Sequence, residues 1–177
     1  MPSIEIRPAI SGDINTLIQF NHTSETTHIW QMEGLSDEGL KEVRFRVTKL
    51  PRPMRLEYPR NPAILADQWT RFDLFLVARI GSQLHGYLNL KLENGVGRVI
   101  DLVVNEPSRR QGIASALLIS TQDWLRSHGF YQIRLETQIK NHAAIKLAEK
   151  MDYVFCGFID RYFPNQDIAA FFSENLR

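Results

Sequence analysis

An apolar run that ends in a turn and leads directly into a helical pattern constrains this chain more than any other stretch. Residues 99–104 are rich in β-branched side chains and predict a buried strand. Pro107 lies in the turn that ends this strand, because proline cannot donate to a strand ladder. A helix is then predicted from Gly112, since the positions of one buried face recur at intervals of three and four residues: Ile113, Ala114, Leu117, Thr121, Trp124 and Leu125.

The join between strand and helix, residues 109–114, has the properties of an anion site. The start of a helix leaves about four backbone N–H groups without partners and carries roughly half a positive charge. Gly112 lets the backbone approach a ligand closely, and Arg109 and Arg110 add charge. On this local pattern alone, an ordinary strand-to-helix connection with solvated arginines remains an equally good interpretation.

The composition is that of one globular domain spanning residues 1–177. The net charge of +1 argues against a general binder of nucleic acid or of a membrane surface. No apolar run approaches the roughly 18 residues that a membrane span needs. The single cysteine, Cys156, excludes an internal disulfide, so a reducing compartment, the cytoplasm, is expected. The same residue lies in an apolar pattern and is expected to be a buried structural thiol.

Other periodic stretches complete an α+β sandwich around one sheet. Asn94-Gly95 predicts a hairpin turn, and Asn141 predicts a helix cap. Residues 41–60 carry seven basic and two acidic side chains. A solvated edge is favoured there over a nucleic-acid surface, and the segment is also the best place for a loop that shapes a substrate pocket. Strands are predicted at 3–8, 43–48, 74–80, 85–92, 98–104, 132–138 and 153–159, and a further helix from residue 11 to about 22. Residues 167–172 fit a strand or a helix, and a strand is favoured by their length and aromatic side chains.

The residues at this join resemble the signature of the GNAT family of acyl-CoA-dependent N-acyltransferases. That signature is Arg or Gln, two residues, Gly, one residue, then Gly or Ala, and it matches at Arg109, Gly112 and Ala114. The resemblance covers residues 75–160 well and 3–22 loosely. It implies a GNAT-like fold, with a central, mostly antiparallel, twisted sheet flanked by helices. Residues 135–138, Asn141, Asp160 and Tyr162 look most like the streptothricin acetyltransferase branch.

The resemblance implies acetyl-CoA as the co-substrate. Backbone amides near the start of the helix would hold its pyrophosphate, and the end of the preceding strand would pair with its pantetheine arm. Asn141 would contact the pantetheine from the next helix, although a pure capping role stays open. The residues that would bind the coenzyme are Leu102, Val103, Val104, Arg109, Arg110, Gln111, Gly112, Ile113, Ala114, Ser115 and Asn141.

Acetyl transfer to an amine needs a group that takes a proton from an ammonium whose pKa is about 10.4. The resemblance makes Glu136 the first candidate, with a surface position on its strand as the alternative. Asp101 is the second candidate, because an acidic residue in an apolar strand needs a partner or a function. The family usually protonates the leaving thiolate with a tyrosine that falls here at Ala148. Tyr153 and Tyr162 are the replacement candidates, and the alternatives are that the thiolate leaves with the help of water or that the activity is weak.

These observations predict an acetyl-CoA-dependent N-acetyltransferase that acts directly on a primary amine of a small molecule, with an aminoglycoside- or streptothricin-like antibiotic as one candidate. A peptide or protein N-acetyltransferase and an idle acyl-CoA-binding module are the alternatives. A closed acidic pocket would favour a small amine, and an open groove beside residues 30–60 a peptide. No metal is predicted from the five histidines, and a homodimer is left open. The residues proposed for the acidic pocket are Glu33, Asp37, Glu38 and Asp73.

Overall fold

The computed structural model describes residues 3–177, apart from the side chain of Leu35. A seven-stranded sheet runs through the molecule in the order β1-β4-β5-β6-β7-β9-β8, and β2 and β3 form a separate two-stranded arm. The strands are β1 (Glu5–Pro8), β2 (Ser24–Asp37), β3 (Leu40–Leu56), β4 (Leu74–Ile80), β5 (Gln83–Glu93), β6 (Val96–Val104), β7 (Gln132–Gln138), β8 (Val154–Ile159) and β9 (Ala169–Asn175). The helices are α1 (Ser11–Ile18), α2 (Leu65–Gln68), α3 (Ile113–Ser127) and α4 (His142–Lys150).

The predicted α+β class with a mostly antiparallel sheet is confirmed, because among these strands only β6 and β7 pair in parallel. The hairpin at Asn94-Gly95 forms with both residues at positive φ, 49° and 82°. Asn141 caps α4 through a 3.1 Å hydrogen bond that its side-chain oxygen accepts from the Ala144 amide. Gly129, at φ 79°, ends α3 in the left-handed conformation that favours glycine.

Two apolar clusters fill the two sides of the sheet. The larger contains buried faces of α3 and α4, including Leu117, Leu125 and Ile145. The smaller contains Leu17 of α1 and Leu65 of α2, packed on Val103 and neighbouring strand residues. Each cluster covers one face of the central strands, so β6 lies between two separate packing environments.

The first strand of the β2-β3 arm lies in a part of the chain, before residue 40, where the sequence shows only weak periodicity. The Trp30 amide donates a 2.9 Å hydrogen bond to the Ile139 carbonyl. The ring centroids of Trp30 and Phe172 are 5.6 Å apart. This contact fixes the arm to the main sheet. Because β3 ends at the buried Leu56, the arm returns the chain to the centre of the molecule, where residues 57–61 lie against β6.

The expectation that Cys156 is a buried thiol is wrong. The residue is exposed on the edge strand β8, where the register slips between Phe155 and Gly157. The extra residue of such a bulge has no partner on the neighbouring strand, so the apolar pattern around Cys156 does not bury the thiol.

Candidate active site

A gap between two neighbouring strands is the central feature of the site. β6 and β7 are paired only from Val96 to Arg98, against Gln132 to Arg134. Across the described residues 3–177, no strand pairs with positions 99–104 of β6 on that side. An open strand edge offers backbone donors and acceptors to an extended ligand.

A β-bulge at Ile100 turns the side chains of β6. Asp101 is opposite Asn89 and Val99 is opposite Leu90, so Ile100 is the extra residue. In a regular strand Val99, Asp101 and Val103 would share one face. Instead Val99 belongs to the cluster of α3 and α4, whereas Val103 belongs to that of α1 and α2. The bulge therefore directs Asp101 to the α1 and α2 side.

The start of α3 leaves space for a ligand. Gly112 precedes the helix at φ 85°, and a Cβ added there would meet no atom within 4 Å. Arg110 also has a positive φ, 65°. The Arg109 guanidinium instead donates to the carbonyls of Val104, Asn21 and Thr23 at 3.0, 2.8 and 2.8 Å. Arg109 thus ties the turn to the segment after α1 instead of presenting a free charge.

A cavity of about 440 Å³ follows the open edge of β6 to the start of α3. Ten of the eleven residues predicted to bind coenzyme line it. Gln111 does not, and its side chain donates to the Pro107 carbonyl at 3.2 Å. The basic side chains Lys146 and Lys150 of α4 also line the cavity and were missed, because charged positions on a helix ordinarily indicate a solvated face. Ala148 lies in the same wall.

A second cavity of about 400 Å³ adjoins the first, because the two share wall residues beside the gap. Both are lined by Tyr58, Pro59, Arg60 and Ile100, whereas Asp101 lines only the second. The two cavities therefore lie next to each other, with these four residues in both walls.

Asp101 has the partners that its position in an apolar strand demanded. The side-chain amide of the fully buried Asn89 donates a 2.9 Å hydrogen bond to one carboxylate oxygen, and the Asn89 oxygen accepts a 3.0 Å bond from the Asp101 amide. The Tyr58 hydroxyl donates to the other carboxylate oxygen. Burial, followed by the charge of Asp101, raises the pKa of Tyr58 well above its ordinary value.

Glu136 has a fully buried side chain, so the surface position considered above is wrong. One of its oxygens pairs with the Arg60 guanidinium. The other accepts from Arg98 at 3.2 Å and from the Tyr162 hydroxyl at 2.9 Å. Arg60 also donates to the Ile100 carbonyl at 3.0 Å. Glu136 and Arg60 consequently connect β7 to the bulge of β6 across the gap.

The tyrosines occupy distinct places. The Tyr153 hydroxyl accepts a 2.9 Å hydrogen bond from buried Gln122, and Tyr153 lines neither cavity. Tyr162 bonds Glu136 but also lies outside both cavity walls. Tyr58 lines both, and sequence reasoning missed it. The only signal was its location in the 41–60 segment that was expected to shape a pocket.

The four acidic residues considered for a pocket that would favour a small amine, Glu33, Asp37, Glu38 and Asp73, do not contribute to either cavity. Of these residues, Glu33 pairs with Arg46 on the arm, and Asp73 accepts a 2.8 Å hydrogen bond from the Leu92 amide. Within residues 3–177, no group of three or more histidine, cysteine or acidic side chains is arranged to hold a metal. No helix in that part of the chain is both long and apolar enough to cross a membrane.

Comparison with known proteins identifies the family. The model of the acetyltransferase (GNAT) family matches residues 44–153, which is more than half of the chain. The chain belongs to the GNAT acetyltransferase family. The predictions of a GNAT fold and of an acyltransferase enzyme are thereby confirmed.

Individual GNAT relatives are distant. An N-alpha-acetyltransferase of Saccharolobus solfataricus is 26% identical over 115 residues, which span 58% of this chain and 69% of that protein. The structure of nourseothricin acetyltransferase aligns with a TM-score of 0.83 and 18% identity, covering 98% of this chain and 99% of that one. The structure of a Bacillus anthracis protein assigned as a streptothricin acetyltransferase, solved with acetyl coenzyme A, aligns with a TM-score of 0.77 and 19% identity. The alignment covers 98% of this chain and 99% of that one. At these identities the solved structures establish the shared fold.

Proposed function

We propose that this GNAT protein transfers an acetyl group from acetyl-CoA directly to a primary amine of a small molecule. The observation that carries the proposal is that the two cavities adjoin at Tyr58, Arg60 and Ile100. A thioester entering from the first cavity and an amine entering from the second would meet there without a covalent enzyme intermediate. Holding both reactants in one geometry is itself a large part of catalysis.

The groups that line the first cavity support its assignment to coenzyme A. Free amides at the start of α3 would hold the pyrophosphate, and the open edge at residues 102–104 would pair with the pantetheine arm. Lys146 and Lys150 are placed to neutralise phosphate charge. Asn141 lines the same wall while capping α4, so both of its expected roles are compatible.

Asp101 is our first candidate for the group that takes the proton from the incoming ammonium. It lines the second cavity, and Asn89 fixes its orientation. Glu136 remains the alternative, but its oxygens already accept bonds from Arg60, Arg98 and Tyr162. We propose that Glu136, together with Tyr162, mainly holds Arg60 and the two strands in place.

Tyr58 is our candidate for protonation of the leaving thiolate, in the place of the tyrosine absent at Ala148. The amine nitrogen attacks the thioester carbon, the C–N bond forms and the C–S bond breaks. Before the attack, Asp101 takes one proton from the ammonium and passes it to solvent. During transfer the second nitrogen proton goes to Asp101, the Tyr58 hydroxyl proton goes to the sulfur, and the proton on Asp101 returns to Tyr58. The hydrogen bond between Tyr58 and Asp101 provides that last step.

Release of free thiol from acetyl-CoA, measured across a panel of amines, tests the proposed function. We expect release that depends on the amine. No release with any amine, despite measurable acetyl-CoA binding, would refute it. In the same assay Asp101→Asn should alter the pH dependence of kcat/KM more than Glu136→Gln does, and the reverse order would assign the base to Glu136.

A peptide N-terminus is the second candidate acceptor. It is favoured by the similarity to the Saccharolobus N-alpha-acetyltransferase. Streptothricin and nourseothricin are candidates among small amines, because one protein with this fold is assigned as a streptothricin acetyltransferase and another is a nourseothricin acetyltransferase. Including a short peptide and nourseothricin in the panel distinguishes these acceptors.

A further inference from the structure

The second cavity contains a single carboxylate in a mainly apolar wall. Among the described residues, the charged side chains that line it are Asp101 and Arg60. The Arg60 guanidinium is bound to Glu136 and to the Ile100 carbonyl, and it also lies 3.9 Å from one carboxylate oxygen of Asp101. Within residues 3–177, Asp101 is therefore the one anionic group that a ligand in this cavity meets.

Asp101 has capacity for one more donor. One of its oxygens accepts from Asn89 and the other from Tyr58. A carboxylate offers about four lone-pair sites, so a primary ammonium can still bind. A second ammonium on the same ligand would find no further anion in the described part of the wall, and burying an unpaired charge is costly.

The rest of the wall favours an apolar or aromatic body. Phe72 and the buried Tyr87 contribute rings, and Ile64, Leu65 and three prolines contribute aliphatic surface. Aromatic faces attract a nearby cation and pack against flat apolar groups. At about 400 Å³ the cavity is at the small end of the range for small-molecule sites.

We propose that the second cavity takes a primary amine with one positive charge and an aromatic or apolar body, and that it discriminates against polycationic amines. This inference rests on the proposed acetyltransferase function and names its acceptor class. Asp101 binds the ammonium, while Phe72 and Tyr87 receive the apolar body. The preference for a single positive charge arises because the cavity wall provides only one carboxylate in the described part of the chain.

The test compares 2-phenylethylamine with spermidine, nourseothricin and a short peptide. Binding and turnover are measured separately for each of them. Titration calorimetry on the full chain with coenzyme A present measures amine binding without any reaction. Thiol release from acetyl-CoA measures turnover. We expect kcat/KM for 2-phenylethylamine to exceed that for spermidine at least tenfold, and Asp101→Asn to weaken its binding at least tenfold.

A charge-addition variant sharpens the comparison. Gln68 lines the second cavity, so Gln68→Glu supplies a second anion there. The kcat/KM ratio of 1,5-diaminopentane to 2-phenylethylamine should rise about tenfold in this variant. Gln83→Glu, at an exposed position outside both cavities, adds the same charge and should leave the ratio unchanged.

The outcomes separate the two proposals. One outcome is that no amine causes thiol release, while 2-phenylethylamine still binds in an Asp101-dependent manner. That outcome supports the acceptor cavity and refutes the enzymatic function. If 2-phenylethylamine does not bind, or if spermidine, nourseothricin or the peptide is preferred in turnover, the acceptor class is overturned. An equal shift of the ratio in Gln68→Glu and Gln83→Glu would also overturn it.

Discussion

Tyr58 lines both cavities, and its hydroxyl donates a hydrogen bond to Asp101, which lines the second. Tyr58→Phe removes only that oxygen. We expect kcat/KM to fall by about a hundredfold, which lies within the usual contribution of general acid–base catalysis. Steady-state kinetics provide the measurement, and calorimetry should show unchanged acetyl-CoA affinity.

Tyr153→Phe is the matched control for Tyr58. Its hydroxyl is bonded to Gln122 and lies outside both cavities. This variant should lose about 1 kcal/mol of stability while keeping the wild-type rate. Equal rates for Tyr58→Phe and Tyr153→Phe would remove Tyr58 from proton transfer.

The Glu136 network predicts a large effect on stability. Glu136→Gln leaves Arg60 and Arg98 without the buried carboxylate that both contact, and breaking a buried ion pair costs about 3 kcal/mol. Urea unfolding measures the change in the free energy of unfolding. Glu33→Gln breaks a partly exposed pair with Arg46 and should cost less than about 1 kcal/mol. Comparable losses in both variants would contradict this interpretation of the network.

Individual site residues differ in how far the sequence could predict them. Asp101 stood out because an acidic side chain interrupted an apolar strand, and the structure supplies its partners. Tyr58 and Arg60 could not be predicted, since they contact residues 43 and 76 positions away. Such contacts depend on how the arm returns to the sheet, and local periodicity contains no information about that path.

At the scale of elements, α3 offers a matched pair of glycines. Gly112 and Gly129 flank the helix at φ 85° and 79°, and an added Cβ at either would meet nothing within 4 Å. Alanine at each position should therefore cost about 1 kcal/mol through the left-handed backbone alone. Only Gly112→Ala should weaken acetyl-CoA binding, because of the two glycines only Gly112 lines the first cavity.

Calorimetry with acetyl-CoA, together with urea unfolding, checks this prediction. If both glycine variants bind acetyl-CoA with equal affinity, then the start of α3 does not hold the coenzyme. If the two stability losses differ widely, the cost is not confined to the backbone conformation.

Strands with a strong local pattern were predicted well, and strands shaped by long-range contacts were not. β4 (Leu74–Ile80) and β7 (Gln132–Gln138) agree with the sequence prediction to the residue. β2 was missed, because its few apolar residues, such as Trp30 and Met32, lie in a polar surround and its pairing with β3 is what extends it. The burial of Cys156 was mispredicted, since an edge strand with a bulge leaves apolar positions exposed.

For the whole molecule, two histidines make stability depend on pH. Burial lowers the pKa of His22, and burial with the nearby His28 and Lys146 lowers that of His142. Both folded-state pKa values lie below the ordinary value of about 6.5. The unfolded chain therefore binds protons first as the pH falls, so stability is retained above about pH 6.5 and lost on acidification below it.

Thermal unfolding between about pH 7.5 and 5.5 should show this decline in Tm. His142→Gln should flatten it, whereas His128→Gln, at the exposed end of α3, should not. A Tm that stays constant across this range, or the same slope in both variants, would exclude the two partly buried histidines as its cause.

The short pairing between β6 and β7 affects how readily the folded protein opens and is cleaved by proteases. Within the described sheet, three residue pairs join the backbones of its two halves, and the side-chain core beneath them supplies the remaining cohesion. A coenzyme arm bound along the open edge would add main-chain bonds at this seam. Any ligand that binds the folded state alone suppresses opening and proteolysis. Resistance to protease should thus rise with acetyl-CoA concentration, which would couple the lifetime of the enzyme to the supply of its own acetyl donor.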